Sequence, residues 1–420
     1  MIWLGLLGMV LLLLVLRQNL MVILASVCAY CYAFFGDGNL DGIVLDGWDA
    51  LNKDVLLSIP LFILAGNIMS KGEIATRMID VMKALTAPIP GGLGVATVLS
   101  CAIFAAISGS GTVTLLAVGA VMYPAMIRAG YSKRYALGSL CAAGTLGIII
   151  PPSIPMILYG IMTQTNIADL FIAGIGPGIL LTSLFVGYSL VVNRKMPASA
   201  FSFPDLGRAL RRGVWSMALP VIILGGIYSG YFTATESAAV ALVYALVVET
   251  LIHRNMRFKQ VFDVVGDTSK SLGALFPVLM FALALNVFLT YQQMPEKIVG
   301  VMQPYFESKL AFLLVTNVFL LVLGCVMDIG SAILIMAPIL QPLAEAQGIH
   351  PIHFGVIMVV NLEIGYLTPP LGMNLVVAMT AFRESFWEIC KAVIPFVLLM
   401  LGALVVIALV PALSLFMLAP

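Results

Sequence analysis

The sequence is short of nearly everything that aqueous chemistry relies on. Only 10% of its 420 residues are charged and only three are histidine, while the formal net charge is +1. There is no basic patch of the kind that nucleic acid requires, so a DNA or RNA partner is excluded. Cysteine is sparse and scattered: Cys101, Cys141, Cys325 and Cys390 stand alone in apolar sequence, and Cys28 and Cys31 lie inside an apolar run with no histidine nearby. Neither a disulfide framework nor a metal knuckle follows; they read as small core residues. No basic residue precedes the first apolar run, Ile2 to Leu16, and Arg17 follows it, which is the reverse of a secretory leader. That run reads as a retained helix with its N-terminus outside.

What the chain has in quantity is hydrocarbon. Hydrophobic residues make up 61% of it, and apolar runs near bilayer-spanning length recur from end to end. The fold class is therefore an all-α polytopic membrane protein. Against that background the stretch IGYLTPPLGMN, Ile364 to Asn374, is out of place, because it packs two prolines and two glycines into an apolar run. A broken helix survives in lipid only where protein or a wet cavity covers its free backbone groups. The break must be buried and is expected to serve a purpose.

A second break matches it. Gly147-x-x-x-Pro151-Pro152 repeats the spacing of Gly365-x-x-x-Pro369-Pro370, and upstream Phe62-x-Leu64-Ala65-x-Asn67 repeats Phe281-x-Leu283-Ala284-x-Asn286. The two matches share one register, offset by about 218 residues, so the chain contains an internal repeat. Between these landmarks each half carries an apolar stretch with a small, polar, glycine-rich centre: AAISGSGTVTLL within 93–127 and GCVMDIGSAIL within 310–343. Each predicts two half-length helices joined by a tight tip, re-entrant from one side.

Charge placement predicts that the repeats are inverted. If each hairpin returns to its own side and every other long run crosses once, 18 of the 21 Lys and Arg residues fall on one side, the cytoplasm. Only Lys53, Lys297 and Lys309 fall outside. Both termini are then outside. The expected division is an N-terminal scaffold over 1–56 and a first repeat over 57–192, with hairpin 91–128 and broken helix 134–160. A central scaffold over 193–260 follows, then a second repeat over 261–380 with hairpin 308–345 and broken helix 353–380, and a last span over 381–420. An acidic outer loop is expected around Asp37, Asp41, Asp46 and Asp49. Over 73–87, Ile74, Met78, Met82 and Leu85 share one face, as in a helix lying in the membrane interface. The segment 295–306 is its weaker counterpart.

Paired breaks and hairpin tips provide helix N-termini for anions and unwound carbonyls for cations. Ser108, Ser110, Thr112, Thr145, Ser153, Thr368 and Asn374 add hard oxygens suited to a cation such as Na+. No Lys or Arg lies in the deep core. Against this stand simpler roles: hydroxyls bond back to their own helix, Asp328 is a cap or cation contact, and Asn67 and Asn286 fasten helices. Glu236 sits at a helix start, Glu363 faces a wet cavity or snorkels, and His253, His350 and His353 lie in solvated loops. A hydrolase using Ser110 has no deep histidine or lysine as base. A scaffold gives no reason for two matched breaks, and a channel would favour a continuous pore.

The runs ISGSGTVT, GIIIPPS, GYLTPPLGMN, IPLFILAGNIMSKG and TATESAAV, in that joint arrangement over nearly the whole chain, resemble the large membrane subunit of the tripartite ATP-independent periplasmic (TRAP) transporters. The resemblance implies an inverted-repeat, elevator-type, Na+-driven carrier in a bacterial inner membrane. It implies a separate small four-helix membrane subunit and a periplasmic substrate-binding protein as partners. The cargo implied is a small organic acid such as a C4-dicarboxylate, sialic acid or another carboxylate or sulfonate. A proton-coupled or binding-protein-independent carrier of the same architecture is the alternative. Carried across, the resemblance places one Na+ among Ser108, Ser110, Gly144, Thr145, Gly147 and Pro151. It places a second among Gly324, Asp328, Gly365 and Thr368, and the substrate among Ser110, Gly111, Thr112, Ser153, Gly330 and Asn374. Pro152, Pro369, Pro370, Asn67 and Asn286 are structural or gating positions.

Overall fold

The computed structural model describes residues 2–36, 38–302 and 308–418. Helices account for its architecture, and no strand occurs among the described residues. Their order is α1 (Ile2–Val15), α2 (Leu20–Phe35), α3 (Asp41–Leu51), α4 (Ser58–Lys71), α5 (Ile74–Thr86), α6 (Gly92–Ser108) and α7 (Gly111–Arg128). Next come α8 (Lys133–Ile149), α9 (Ile154–Thr163), α10 (Ile167–Val192), α11 (Phe203–Tyr228), α12 (Ala234–Val247) and α13 (Phe258–Tyr291). The chain ends with α14 (Met294–Met302), α15 (Lys309–Val326), α16 (Ile329–Ala346), α17 (Pro351–Gly365), α18 (Met373–Phe382), α19 (Phe386–Leu409) and α20 (Ala412–Leu415). Ten helical stretches among the described residues are long and apolar enough to cross a membrane. Many start on a capping side chain: Asn19, Ser132, Asn166, Ser202, Thr233, Ser308 and Ser385 each accept a first-turn backbone N–H. In a chain so poor in polar groups these caps set where each span begins.

The repeat extends to individual helix boundaries. Helix α16 begins at 329 and ends at 346, each 218 residues beyond the matching boundary of α7 at 111 and 128. Likewise α6 ends at Ser108 and α15 at Val326, also 218 apart. The peptide bonds Pro151–Pro152 and Pro369–Pro370 are both cis. Packing is reciprocal: α7 meets α18 while α16 meets α9, and α8 meets α19 while α17 meets α10. Exchanging equivalent elements in this way is what a local twofold relation produces. At its centre, the stretch Lys133–Thr163 is the most deeply buried of the candidate spans.

The rest of the chain surrounds this core unevenly. Helix α6 is enclosed by α4, α5, α10 and α11, whereas α15 packs chiefly on α17 and leaves Leu314, Val318 and Val322 exposed. Helix α13 runs through 34 residues, about 51 Å, and carries α2, α3 and α4 along its length. Lys71 pairs with Asp267 at 3.0 Å, tying α4 to α13.

Several local expectations are corrected. The acidic segment is a helix over Asp41–Leu51, because Ile43, Gly47 and Ala50 form a buried stripe and Asp41 sits in the positive first turn. Asp46 accepts a hydrogen bond from Tyr32 at 2.5 Å; Asp37 lies outside the described residues. The apolar stripe of α5 turns into protein: Ile74, Met78 and Met82 are buried, with α6 and α11 packed on the helix, and Leu85 alone of that face is exposed. The counterpart segment falls on α14, with 303–306 outside the described residues. Two of the three histidines are not solvated. His353 is buried in the first turn of α17, and His253 is buried against Glu249 where a π-helical turn over Val248–Ile252 folds the chain back. Only His350 is exposed, capping α17. Glu363 is wholly buried and reaches no water.

Candidate functional site

Each hairpin tip is held by its neighbouring break through a backbone hydrogen bond. Helix α6 stops at Ser108 because Gly109 takes a left-handed conformation (φ 62°) that glycine adopts without strain. Extended Ser110 then leads into α7. The Thr114 hydroxyl donates to the Ser110 carbonyl at 2.9 Å and accepts from Ser108 at 2.7 Å, fixing the tip. Across from it α8 ends at Ile149, the buried Pro151 and Pro152 turn the chain, and Ser153 caps α9 by accepting from the Met156 N–H at 3.3 Å. The Ser153 hydroxyl donates in turn to the Ile148 carbonyl. The Ile154 N–H donates to the Gly109 carbonyl at 3.2 Å, joining break to tip.

The second half repeats this construction. Asp328 caps α16, accepting from the Ser331 N–H at 2.9 Å and from its hydroxyl at 2.5 Å. The Leu371 N–H donates to the Cys325 carbonyl at 3.2 Å. Thr368 bonds back to the Ile364 carbonyl at 2.8 Å. Asn361 of α17 donates to the Asn317 side chain of α15 at 2.6 Å, holding hairpin to broken helix. Unlike Pro151 and Pro152, Pro369 and Pro370 are exposed.

The two tips meet across a small cavity of about 160 Å³. Ser110, Gly111 and Thr112 line it from hairpin one, Asp328, Ile329 and Gly330 from hairpin two, and Ile154, Pro155 and Tyr366 from the breaks. Three helices thus start at this cavity: α7 at Gly111, α9 at Ile154 and α16 at Ile329. Helix N-termini carry partial positive charge and attract anions. Asp328 is the only charged residue on the lining, and much of its capacity is spent on Ser331.

The sequence-derived candidates separate into groups. Ser110, Gly111, Thr112, Asp328 and Gly330 share the cavity. Ser108, Gly144, Thr145, Gly147, Pro151 and Ser153 lie buried behind it. There the backbones touch: a Cβ on Gly147 would stand 2.6 Å from the Ser110 carbonyl oxygen, and one on Gly111 would stand 3.4 Å from that of Gly144. Gly324 and Gly365 form the corresponding contact in the second half, with Thr368 one turn further on bonded back to the Ile364 carbonyl. Asn374 is away from the cavity and fully buried, its amide donating to the Cys141 carbonyl at 3.1 Å. Asn67 fastens to Thr268 at 2.9 Å and Asn286 to the Met162 carbonyl at 2.9 Å.

Sequence reasoning missed Tyr366, which lines the cavity and interacts with Thr112. Its place directly after Gly365, inside the break, was the available signal. The chemistry of the donors suits a hard cation. No three of His, Cys, Asp and Glu gather among the described residues, so a softer metal centre has no ligands there. Buried oxygens without a hydrogen-bond partner occur instead beside the breaks: Asn374 Oδ1 and both carboxyl oxygens of Glu363.

Comparison with known proteins places the chain in a class and then a family. Its fold is that of membrane transporters: the crystal structure of the Alcanivorax borkumensis YdaH transporter superposes with a TM-score of 0.65 at 15% identity, covering 87% of this chain and 86% of that one. Residues 7–413 match the family described as tripartite ATP-independent periplasmic transporter, DctM component, and the chain belongs to that family. A C4-dicarboxylate TRAP transporter large permease protein of Pseudomonas aeruginosa is 40% identical over 384 residues, 91% of this chain and 90% of that protein. An isethionate TRAP transporter permease protein of Oleidesulfovibrio alaskensis, named DctMQ, is 35% identical over 90% of this chain but 60% of its own length. The chain is a multi-pass membrane permease and not an enzyme.

Proposed function

We propose that this chain is the permease subunit of a Na+-coupled importer of a small organic acid, and that the cavity between the hairpin tips receives the acid. One observation carries the reading: three helix N-termini converge on a cavity with no Lys or Arg on its lining. Such a site holds a carboxylate or sulfonate through helix ends and hydroxyls, without the bidentate grip of an arginine. The named cargoes of the two relatives, a C4-dicarboxylate and isethionate, support that class.

Two Na+ sites flank the cavity in this reading. The first uses the Ser108–Gly111 tip with the Gly144–Pro151 break, the second the Gly324–Ser331 tip with Gly365–Thr368. Bound Na+ would add positive charge beside the helix N-termini. The unpartnered side-chain oxygen of Asn374 supports a cation in this region. The reciprocally packed elements α6–α10 and α15–α19 are the body that moves, elevator-fashion, against a frame of α2–α4 and α11–α13. Tight handling of the cargo falls to a periplasmic binding protein, and a separate small membrane subunit completes the complex in a bacterial inner membrane. Both termini are periplasmic in this arrangement. Cysteines at Ala198 and Gln347 should then react with an impermeant thiol reagent from opposite faces; reaction from one face would remove the inversion.

The site itself is tested by placing a cysteine at Thr112 in a background without native cysteines and timing its modification. Na+ with succinate or isethionate should slow labelling at least several-fold relative to K+. Equal rates in Na+ and K+ with either acid would count against this cavity.

A further inference from the structure

A second cavity, unrelated to the hairpin tips, opens between α6, α10 and α11. It has a volume of about 360 Å³ and is walled by Ala102 and Ala106 of α6, Ile179 of α10 and Pro220 of α11, with Pro151 of the first break against it. The lining carries no charged residue. Ile179 stands at its rim and is 60% exposed, so the slot opens sideways from the helix bundle. Helices α10 and α11 are both candidate membrane spans, and α6 is a shorter apolar helix. What lies beside such an opening is the hydrocarbon of the bilayer.

Length and chemistry point to one kind of occupant. Pro220 and Tyr228 are eight residues apart on α11, about 12 Å along its axis, close to the depth of one leaflet, half of a hydrocarbon core about 30 Å thick. Tyr228 is the last residue of α11 and lines the same slot. Its hydroxyl is buried and has no hydrogen-bond partner in the protein. A buried hydroxyl without a partner is destabilising, and tyrosine at the end of a span sits where acyl chains join their glycerol esters. We infer that this slot seats one acyl chain of a phospholipid, with the Tyr228 hydroxyl donating to the ester carbonyl. The chain then lies between the α11 frame helix and the hairpin-one break, filling space that would otherwise be empty against Pro151.

The test uses the full-length protein in nanodiscs containing a phosphatidylcholine with a diazirine midway along one acyl chain. After photolysis, adducts are mapped by peptide mass spectrometry. The exposed face of α15, with Leu314, Val318 and Val322, is the reference for ordinary surrounding lipid. Adducts in 102–106, 175–183 and 220–228 should exceed that reference at least three-fold. Ala102→Phe, which fills the slot, should bring them down to it without changing labelling of α15. Ile179→Trp at the exposed rim does the same job should the Phe variant fail to fold. Tyr228→Phe should reduce the phospholipid retained per chain in native mass spectrometry. Slot labelling no denser than that of α15, or unaltered in the filled variants, overturns the inference; unchanged retention in Tyr228→Phe overturns its ester contact.

Discussion

Gly365 and Gly324 pack backbone against backbone, so that a Cβ on Gly365 would stand 2.6 Å from the Cα of Gly324. The equivalent position in the first half, Gly147, meets the Ser110 carbonyl oxygen at the same distance. No side-chain motion can relieve either contact. Gly365→Ala and Gly147→Ala should each destabilise the protein by about 1–3 kcal/mol through overpacking, with uptake falling at least ten-fold. Gly402, beside which a Cβ would meet nothing within 4 Å, is the control and should tolerate alanine. Thermal midpoints and uptake of the three variants check this.

Glu363 and Thr145 are also equivalent positions, 218 residues apart, and they lie side by side at the crossing of α17 and α8. Thr145 donates to the Ala142 carbonyl at 2.7 Å, leaving both carboxyl oxygens of Glu363 without a hydrogen bond. No Lys or Arg acts on the carboxyl, and an unpaired charge buried here would be costly. Glu363→Gln should therefore fold with wild-type yield, whereas Glu363→Lys should not accumulate as folded protein. Size-exclusion profiles of the two variants decide the matter.

At the α18–α19 turn, Glu384 accepts from Lys133 and from the Tyr123 hydroxyl at 2.8 Å, tying α7 and α8 to the second half. The hydrogen bond from Lys133 holds its pKa below the ordinary glutamate value. A depressed carboxyl stabilises the fold above the unfolded pKa, about 4, and loses that contribution as pH falls through the lower folded value. Glu384→Gln should melt below wild type at pH 7, and the gap should close on acidification below about pH 4. Parallel melting curves over that range provide the check.

The breaks are legible in the sequence because each joins a glycine to a Pro-Pro pair, whereas single prolines run on inside α7, α10, α11, α13 and α19, and two matched sets at one offset leave few alternatives. The tips are legible for the same reason, Gly109 and Asp328 being respectively a left-handed stop and a cap. What the sequence does not reveal is depth. Helix α3 is missed because its three acidic residues outweigh a stripe of one isoleucine and two small residues. His253 and His353 read as loop residues, since nothing local shows that a π-turn folds one inward or that Pro351 starts a helix ahead of the other. The convergence of three helix starts on one cavity is a tertiary fact, and Tyr366 joins it only through that packing.

Cation dependence is the next expectation. A Na+ shell of about five or six oxygens weakens when one is removed. Ser110→Ala and Thr368→Ala should raise the Na+ concentration for half-maximal uptake about three- to ten-fold, a loss of roughly 1 kcal/mol in line with one hydrogen-bond-strength contact, while folded yield changes little. An unchanged Na+ dependence in both variants would remove those hydroxyls from the sites.

The most direct measurement of the whole account is uptake into proteoliposomes holding this chain with its small membrane subunit. A Na+ gradient should drive little accumulation of the organic acid until the loaded binding protein is added outside, and raised ionic strength should weaken that stimulation, as for a charged, transient interface. Strong, selective uptake without the binding protein, or uptake indifferent to Na+ that collapses when a proton gradient is removed, would contradict it.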